Sequence, residues 1–317
     1  MSIVTASFSP DGYTLITGSA DGYLCQWFAQ TGQRLHVLLA PSAADEEPRP
    51  AAVAAARLSD RMRGGPIGCV RHSTDGSRLA VGSASGWVVL WDAFRRVESL
   101  GWQAHSDGIR ALAFSPDDIW LATGSGDGDE VTLRVWVVVG RIDDRPYQEF
   151  SDRMHAGGVS SLSFSPDSRF LVAGGYNFSG YTAPLLYDIR KLEQVGLFQW
   201  EMASALQLSP NGQLLATGSD SGQVSAWSVA RKERLFCAKA GDHPAGVVAF
   251  SPDGHLIASG DEGGKVALWD VRRGRLHEEW NIPGAIRALW FHPHGRELRI
   301  AAAVEGADVP AIHGQRF

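Results

Sequence analysis

The sequence feature that most constrains this chain is the unit Ala245–Asp270, in which two turns separate three short apolar runs. Each run is too short for a helix and is rich in Val, Leu, Ile and Trp, a composition typical of β-strands. In the first turn, Ser251–Gly254, the proline presets φ and the glycine supplies the positive φ that closes the turn. The second turn, Asp261–Gly264, uses an aspartate and two glycines. The unit is therefore predicted to be a three-stranded meander, which cannot bury both of its faces alone.

The turn of this unit recurs along nearly the whole chain. Its first polar residue is found at Ser9, Ser73, Ser115, Ser165, Ser209, Ser251 and His292, in steps of 64, 42, 50, 44, 42 and 41 residues. An aromatic residue follows at a nearly constant distance. It lies 18 residues later at Trp27, Trp91, Trp227 and Trp269, 21 later at Trp136, and 22 later at Tyr187. The turn and the aromatic residue recur with the same period, which indicates a repeat protein.

The repeat resembles that of the WD40 repeat family. Trp91–Asp92 and Trp269–Asp270 carry the dipeptide that gives the family its name, and His105 lies ten residues before its turn, where the family keeps a histidine. The resemblance implies an all-β fold, a seven-bladed WD40-type β-propeller around a central channel, with blade 7 irregular or incomplete. It also implies a structural hydrogen-bonded tetrad in blade 3, formed by His105, Thr123 or Ser125, Asp127 and Trp136.

The chain of 317 residues is predicted to form one ring-shaped domain. The predicted blades span residues 1–40, 66–104, 105–154, 155–202, 203–240, 241–281 and 282–317. Residues 41–65 interrupt the period and are predicted to form a flexible insertion loop, because their first part is rich in Pro and acidic residues. Ala51–Arg63 could instead form about three turns of helix, with Arg57, Arg61 and Arg63 towards its end. Two interpretations of the insertion therefore stay open, a mobile loop and a helix that orders when it binds a partner.

Blade 4 is predicted to carry a partner-binding loop. The loop between its second and third strands contains three aromatic residues, Tyr176, Phe178 and Tyr181. An exposed aromatic cluster indicates a contact site, whereas rings that fold back into the space of the missing Trp would be structural. Both interpretations are open.

Blade 7 departs from the repeat near its end. Pro310 stands 18 residues after His292, where other blades have Trp. A shortened pair formed by Val309–Phe317, an open edge, and a chain that is a piece of a longer protein are three open alternatives. An open edge would expose unpaired backbone N–H and C=O groups and predicts strand addition by a partner or by a second copy.

Alternation along the innermost strands predicts which side chains face the channel. One parity should pack between blades and contains Leu112, Phe114, Leu162, Phe164, Leu206, Leu208, Val248 and Phe250. The other parity should face the channel and contains Thr5, Ser7, Cys69, Arg71, Ala111, Ala113, Ser161, Ser163, Ala205, Gln207, Val247, Ala249, Ala288 and Trp290. Most of the second group are small, so the two large residues, Arg71 and Trp290, are candidate contacts for a partner.

The two ends of such a propeller differ in regularity. One end, called the loop face below, carries the loops between second and third strands and the connections between blades. It gathers residues 41–65, 126–130 and 176–182, together with His105 and His155. The opposite end, the turn face, carries the Ser-Pro-Asp-Gly turns. Because the irregular segments all fall on the loop face, that face is predicted to bind partners.

Composition excludes several classes of function. The formal net charge of −6 argues against general nucleic-acid binding. The three cysteines form no C-x-x-C pair, which favours a reducing compartment and no structural metal. No run of eighteen apolar residues occurs, so no membrane insertion is expected. The chain is therefore expected in the cytoplasm, or also in the nucleus if its source is eukaryotic.

The predicted function is a non-catalytic scaffold that binds other proteins or peptides and needs no cofactor. A hydrolase is the alternative of another class, but Ala84 and Asp220 stand where a G-x-S-x-G motif needs serine. His292, His294 and Glu297 offer only a weak metal-binding pattern. A further alternative is a substrate receptor of a cullin ubiquitin ligase, because Trp269–Arg272 and Tyr187–Arg190 resemble the W-D-x-R ending with which some eukaryotic family members dock an adaptor.

Overall fold

The computed structural model describes residues 2–40, 62, 65–126, 132–139, 157–175, 183–198, 203–307 and 309–317, together with the backbone of residues 148–150. Within these ranges the chain forms strands β1 to β27 and no α-helix. The same ranges contain no helix of the length and apolarity that a bilayer crossing requires. The predicted all-β class is confirmed.

The strands form seven antiparallel sheets, each of which follows chain order. The first strands of successive sheets contact one another, and the first strand of the seventh sheet contacts that of the first. Seven sheets therefore close a ring, with their first strands around the axis. Blade 1 contains β1 (Ile3–Phe8), β2 (Thr14–Ser19), β3 (Leu24–Phe28) and β4 (Arg34–Leu39). Blade 2 contains β5 (Ile67–His72), β6 (Arg78–Ser83), β7 (Trp87–Asp92) and β8 (Val97–Gln103).

The next four blades have the same four-stranded organisation. Blade 3 contains β9 (Ile109–Phe114), β10 (Trp120–Ser125), β11 (Leu133–Val137) and β12 (Gln148–Phe150). Blade 4 contains β13 (Val159–Phe164), β14 (Phe170–Gly175), β15 (Leu185–Asp188) and β16 (Glu193–Leu197). Blade 5 contains β17 (Ala205–Leu208), β18 (Leu214–Gly218), β19 (Gln223–Ser228) and β20 (Glu233–Lys239). Blade 6 contains β21 (Val247–Phe250), β22 (Leu256–Gly260), β23 (Lys265–Asp270) and β24 (Arg275–Asn281).

Blade 7 has three strands in the described part of the chain, β25 (Ala285–Phe291), β26 (Glu297–Ala303) and β27 (Ala311–Arg316). The last strand pairs with β26 from Ala302↔Ala311 to Glu297↔Arg316. The residues after Pro310 thus form a third strand, and its outer edge has no strand beside it among the described residues.

The repeated turn explains why each blade begins with a hairpin. In blade 1 the Ser9 hydroxyl donates to the Asp11 carboxylate at 2.5 Å and accepts the Thr14 backbone N–H at 2.9 Å. Gly12 has φ 71°, which closes the turn. The equivalent serine bonds the residue two positions later in each of the next five blades, at Ser73, Ser115, Ser165, Ser209 and Ser251. The serine and the Asp or Asn two residues later therefore stabilise the first hairpin of six blades.

Large aromatic residues fill the space between blades. Trp27, Trp91, Trp136 and Trp227 are fully buried, and Tyr187 takes the same place in blade 4. The Tyr that replaces Trp in the repeat therefore fills the space between blades 3 and 4.

Ring closure depends on contacts between blade 7 and blade 1. The Trp290 ring packs on Gly12, where an added Cβ would lie 2.3 Å from its Cη2 atom. Arg299 donates from Nη1 to the Gly12 carbonyl, and its Cζ lies 5.5 Å from the Trp290 ring centroid. Phe8 lies beside the same ring, with centroids 6.4 Å apart. Side-chain packing joins the first and last blades.

Candidate functional site

The central channel is a cavity of about 490 Å³ that residues from all seven inner strands line. The side chains that parity assigns to packing between blades are buried, including Leu112, Phe114 and Phe250. Several of the small residues assigned to the channel are also buried, among them Thr5 and Ala111. Some side chains that alternation assigns to the channel are therefore less exposed to it than predicted.

Polar side chains on the inner strands bind the next blade. The Ser161 and Ser163 hydroxyl oxygens accept backbone N–H groups of β17, both at 3.0 Å. Thr5 and Ser7 accept N–H groups of β5 at 3.3 Å, and the Gln207 amide oxygen accepts one from β21 at 2.6 Å. These residues line the channel and also join adjacent blades, a role that the sequence analysis did not assign.

Two channel residues contradict the parity prediction. Arg110 and Arg287 should pack between blades, but both line the cavity. The reason is a bulge at the start of the inner strand, because the pairing register shifts between residues 109 and 111 and between residues 286 and 288. One extra residue reverses the alternation at that point. The sequence carries no signal for this bulge, since the register shifts in the same way between Ile67 and Cys69, where no Arg is present.

The two large residues predicted for the channel also line the cavity, but their surroundings differ. Arg71 is exposed and donates from Nη1 to the Val70 carbonyl at 2.8 Å. Trp290 is only partly exposed, because its ring packs against Gly12 and Arg299. Trp290 therefore contributes mainly to ring closure, and Arg71 is the freer of the two to meet a ligand.

In blade 3 the structure places three residues of the predicted tetrad together. The Thr123 hydroxyl lies 2.7 Å from His105 Nε2 and accepts the Trp136 Nε1–H at 3.0 Å. All three side chains are buried. Of the two hydroxyl residues considered, Thr123 makes these bonds, while Ser125 lies at the end of β10. Asp127 lies outside the described residues.

The bond between Trp and a hydroxyl recurs where the histidine is absent. Trp27 donates to Thr17 at 2.8 Å, Trp227 to Thr217 at 3.1 Å, and Trp269 to Ser259 at 3.0 Å. In each of these blades, and in blade 3, a hydroxyl residue directly precedes glycine in the second strand. That dipeptide was the sequence signal for these bonds. Blade 2 has Val81 at the same place.

The remaining candidate partner-binding residues lie outside the described ranges. They are Arg57, Arg61 and Arg63 in the insertion and Tyr176, Phe178 and Tyr181 in blade 4. His155 also lies outside. The insertion does have one described, buried residue, Met62, which packs in a cluster with Leu38, Leu39 and Ile67. The chain is thus anchored to the core just before blade 2.

The aspartates of the W-D-x-R-like endings close turns. Asp188 accepts the backbone N–H groups of Arg190 and Lys191 at 3.1 and 3.3 Å, and Arg169 binds its other oxygen at 2.9 Å. Burial, the largest single effect, raises the pKa of Asp188, but the hydrogen bonds from Arg169, Lys191 and Arg190 and the charge of Arg169 together lower it below its usual value. Asp270 closes the equivalent turn in blade 6 by accepting the Arg273 N–H at 2.9 Å. Arg190 and Arg272 are exposed on the turn face.

A serine–histidine contact lies in the channel wall. Ser7 Oγ is 3.2 Å from His72 Nδ1 and also accepts the His72 backbone N–H. Burial lowers the pKa of His72 to about 4, despite the opposing charge of Asp11. An imidazole with so low a pKa is a weak general base at neutral pH. The contact is best explained as part of the junction between blades 1 and 2.

The His292 and His294 rings lie 4.7 Å apart, and Glu297 is engaged by Arg299 at 3.2 Å. Among the described residues no three His, Cys, Asp or Glu side chains are grouped so that they could hold a metal ion.

Seven antiparallel blades that close around an axial channel define a β-propeller. The family described as WD domain, G-beta repeat matches residues 1–27, 59–92, 96–129 and 146–179. The family described as Anaphase-promoting complex subunit 4 WD40 domain matches residues 206–292. The chain belongs to the WD40 repeat family, as its repeat predicted.

The similar curated proteins match over short segments. WD repeat-containing protein 1 of Gallus gallus is 40% identical over 84 residues, which are 26% of this chain and 13% of that protein. Protein ROOT INITIATION DEFECTIVE 3 of Arabidopsis thaliana is 32% identical over 84 residues, 26% of this chain and 18% of that protein. Polyadenylation factor subunit 2 of Neurospora crassa is 40% identical over 63 residues, 20% of this chain and 10% of that protein. The matched segments thus span less than a fifth of each of these relatives.

Proposed function

We propose that this protein is a non-catalytic scaffold that binds other proteins or peptides through its loop face. The observation that carries the proposal is the contrast between the two faces. On the turn face the same serine turn is built in six successive blades. On the loop face the lengths of the connections vary widely between blades. Variation on one side of a repeated frame is typical of a binding surface.

Partners are proposed to contact the aromatic segment of blade 4 and the insertion after blade 1. β14 ends and β15 begins at the loop face, and residues 176–182, which are outside the described residues, lie between these strands in the sequence. Residues 41–61 lie between β4 and β5 in the sequence and outside the described residues. Aromatic and Arg side chains are enriched where interfaces derive most of their affinity.

The decisive experiment is partner capture by the full chain, followed by mass spectrometry. One variant combines Tyr176→Ser, Phe178→Ser and Tyr181→Ser, and a second deletes residues 42–60, which retains the buried Met62. Both are expected to stay folded and to lose captured proteins. Tyr13→Ser is the matched control, because Tyr13 is 57% exposed on the turn face. Capture that survives both loop-face changes would contradict the proposed surface.

A second mode of binding is proposed for blade 7, where an extended segment of a partner would add beside β27. The outer edge of β27 lacks a neighbouring strand among the described residues, and unpaired strand edges accept extended peptides. The His313 side chain on this strand also has a buried Nε2 atom without a hydrogen-bond partner.

Hydrogen exchange tests strand addition. Amides of Ala311–Arg316 that face away from β26 should become protected when a captured partner is present. Amides of Arg275–Asn281, the outer strand of the complete blade 6, should exchange at an unchanged rate. Equal protection in both strands, or in neither, would rule out addition at blade 7.

The protein is further proposed to act in the cytoplasm, or in the nucleus of a eukaryote. Its three cysteines are free, with Cys25 and Cys69 buried and Cys237 exposed, as in a reducing compartment. Fractionation of cells of the source organism tests this, and recovery from an oxidising compartment would contradict it.

A further inference from the structure

The central channel is basic although the chain as a whole is acidic. Arg71, Arg110 and Arg287 line the cavity, and no aspartate or glutamate is among the described residues that line it. The formal net charge of the chain is −6. Positive charge collected in a narrow space between protein walls focuses the field there and attracts anions.

The three arginines lie at two levels of the channel. Arg110 and Arg287 are equivalent, because each occupies the bulge directly after an isoleucine near the start of its inner strand. They lie at the end that opens on the loop face, in blades 3 and 7, which are three positions apart around the ring. Arg71 lies three residues further along its own inner strand, which is about 10 Å towards the turn face.

Other polar groups in the channel are hydrogen-bond donors that lack an acceptor among the described residues. The Ser161 and Ser163 oxygens accept N–H groups of β17, so their own O–H protons point elsewhere, and the described residues supply no acceptor for them. Arg287 Nε is buried without a hydrogen-bond partner, although Nη1 lies 3.4 Å from the Glu262 carboxylate. A buried unpaired donor is costly, and a ligand oxygen would satisfy it.

We propose that the channel binds a small polyanion of the polyphosphate class, with at least three phosphate groups. The cavity volume of about 490 Å³ lies in the range typical of small-ligand pockets, about 300–1,000 Å³. Arg pairs with phosphate through two parallel hydrogen bonds. A single phosphate reaches one level of arginines, whereas a chain about 10 Å long reaches both. This site is separate from protein capture, because it lies inside the ring.

Titration calorimetry of the full chain tests the site with inorganic tripolyphosphate, inositol hexakisphosphate and inorganic phosphate. Tripolyphosphate is expected to bind at least about a hundredfold more tightly than phosphate, because it adds charge-assisted bonds at the second level. Arg287→Gln and Arg71→Gln should each weaken tripolyphosphate binding about tenfold. Tighter binding of inositol hexakisphosphate would identify a ring-shaped source of the phosphates, and weaker binding a linear one.

The matched control is Arg95→Gln, since the Arg95 side chain is 82% exposed in a turn on the turn face. It should leave the affinity for tripolyphosphate unchanged. Equal affinity for phosphate and tripolyphosphate, or equal weakening by Arg95→Gln and Arg287→Gln, would overturn the proposal in favour of general surface charge. Arg71→Gln keeps the test decisive if Arg287→Gln disturbs folding, because Arg71 is exposed and its contact is to the neighbouring Val70 carbonyl.

Discussion

Asp118 occupies the fourth position of the blade 3 turn with φ 56°, where five other blades have glycine. Its carboxylate reaches blade 2 and accepts the backbone N–H groups of Thr74 at 2.7 Å and Asp75 at 2.9 Å. Ser168 in blade 4 likewise has φ 57° and accepts the Asp117 N–H at 3.1 Å. At both positions a contact between blades compensates for an unfavourable backbone conformation.

Asp118→Gly should destabilise the protein by about 2 kcal/mol or more. The change relieves about 1 kcal/mol of backbone strain but removes two bonds to a charged acceptor, each worth about 1.5–3 kcal/mol. Ser168→Gly removes one neutral bond of about 1 kcal/mol and relieves similar strain, so it should be nearly neutral. Urea unfolding of both variants measures the difference, and equal midpoints would contradict the assigned role of Asp118.

His72 should make the protein less stable as the pH falls. Its folded pKa is about 4, because burial disfavours the charged ring, against 6.5 when unfolded. The unfolded chain therefore binds the proton first, and stability falls between about pH 6.5 and pH 4, by up to about 3 kcal/mol.

The measurement is the difference in unfolding free energy between pH 7 and pH 4.5. His72→Gln should show a smaller difference than the original protein, because its side chain takes up no proton in this window. His277→Gln, at an exposed position, should behave like the original protein. A pH dependence that is the same in all three proteins would refute the role of His72.

At the scale of the strand, the bond between Trp and a hydroxyl holds the second and third strands of a blade together. Thr123→Val should cost about 2–4 kcal/mol, because Trp136 and His105 both lose a buried partner. Thr17→Val should cost about 1–2 kcal/mol, since only Trp27 is affected. Val81 in blade 2 shows that valine is accommodated at this place. Thermal unfolding of both variants checks the ranking, and the reverse order would contradict it.

Strand positions could be predicted from the sequence more readily than side-chain directions. The meander predicted for Ala245–Asp270 contains β21, β22 and β23, because turn chemistry separates the three apolar runs. The directions of Arg110 and Arg287 could not be predicted, since a one-residue bulge reverses alternation and leaves no compositional mark. The hydroxyl partners of the Trp residues could have been found from the sequence, because each directly precedes a glycine in the second strand of its blade.

At the scale of the whole molecule, the number of blades followed from counting turns, but the closure of the ring did not. Arg299 and Gly12 meet across 287 residues, and no local pattern links them. Blade 7 could be predicted to be irregular because Pro310 replaces Trp, whereas its three-stranded form depends on pairing between β26 and β27.

Gly12→Ala should disrupt the junction between blades 1 and 7. The added Cβ would lie 2.3 Å from Trp290 Cη2 and would also be held at φ 71°. Gly254→Ala is the matched control, since it has the same φ of 71° but the atom nearest to its added Cβ, Pro210 Cδ, would be 4.0 Å away. Gly254→Ala should cost about 1–2 kcal/mol for the backbone conformation, and Gly12→Ala at least about 1–3 kcal/mol more. Equal losses in guanidinium unfolding would show that the junction tolerates the added methyl group.

The Trp290, Arg299 and Gly12 contact also has a mechanical consequence. Every other pair of neighbouring blades is linked by continuous chain, but in the described structure blades 1 and 7 are held together by side chains alone. Tension between β1 and β27 therefore loads this seam, which no ladder of backbone bonds between described strands reinforces. Pulled from these two strands, the ring should first open into an arc of intact blades and only later lose its sheets one by one.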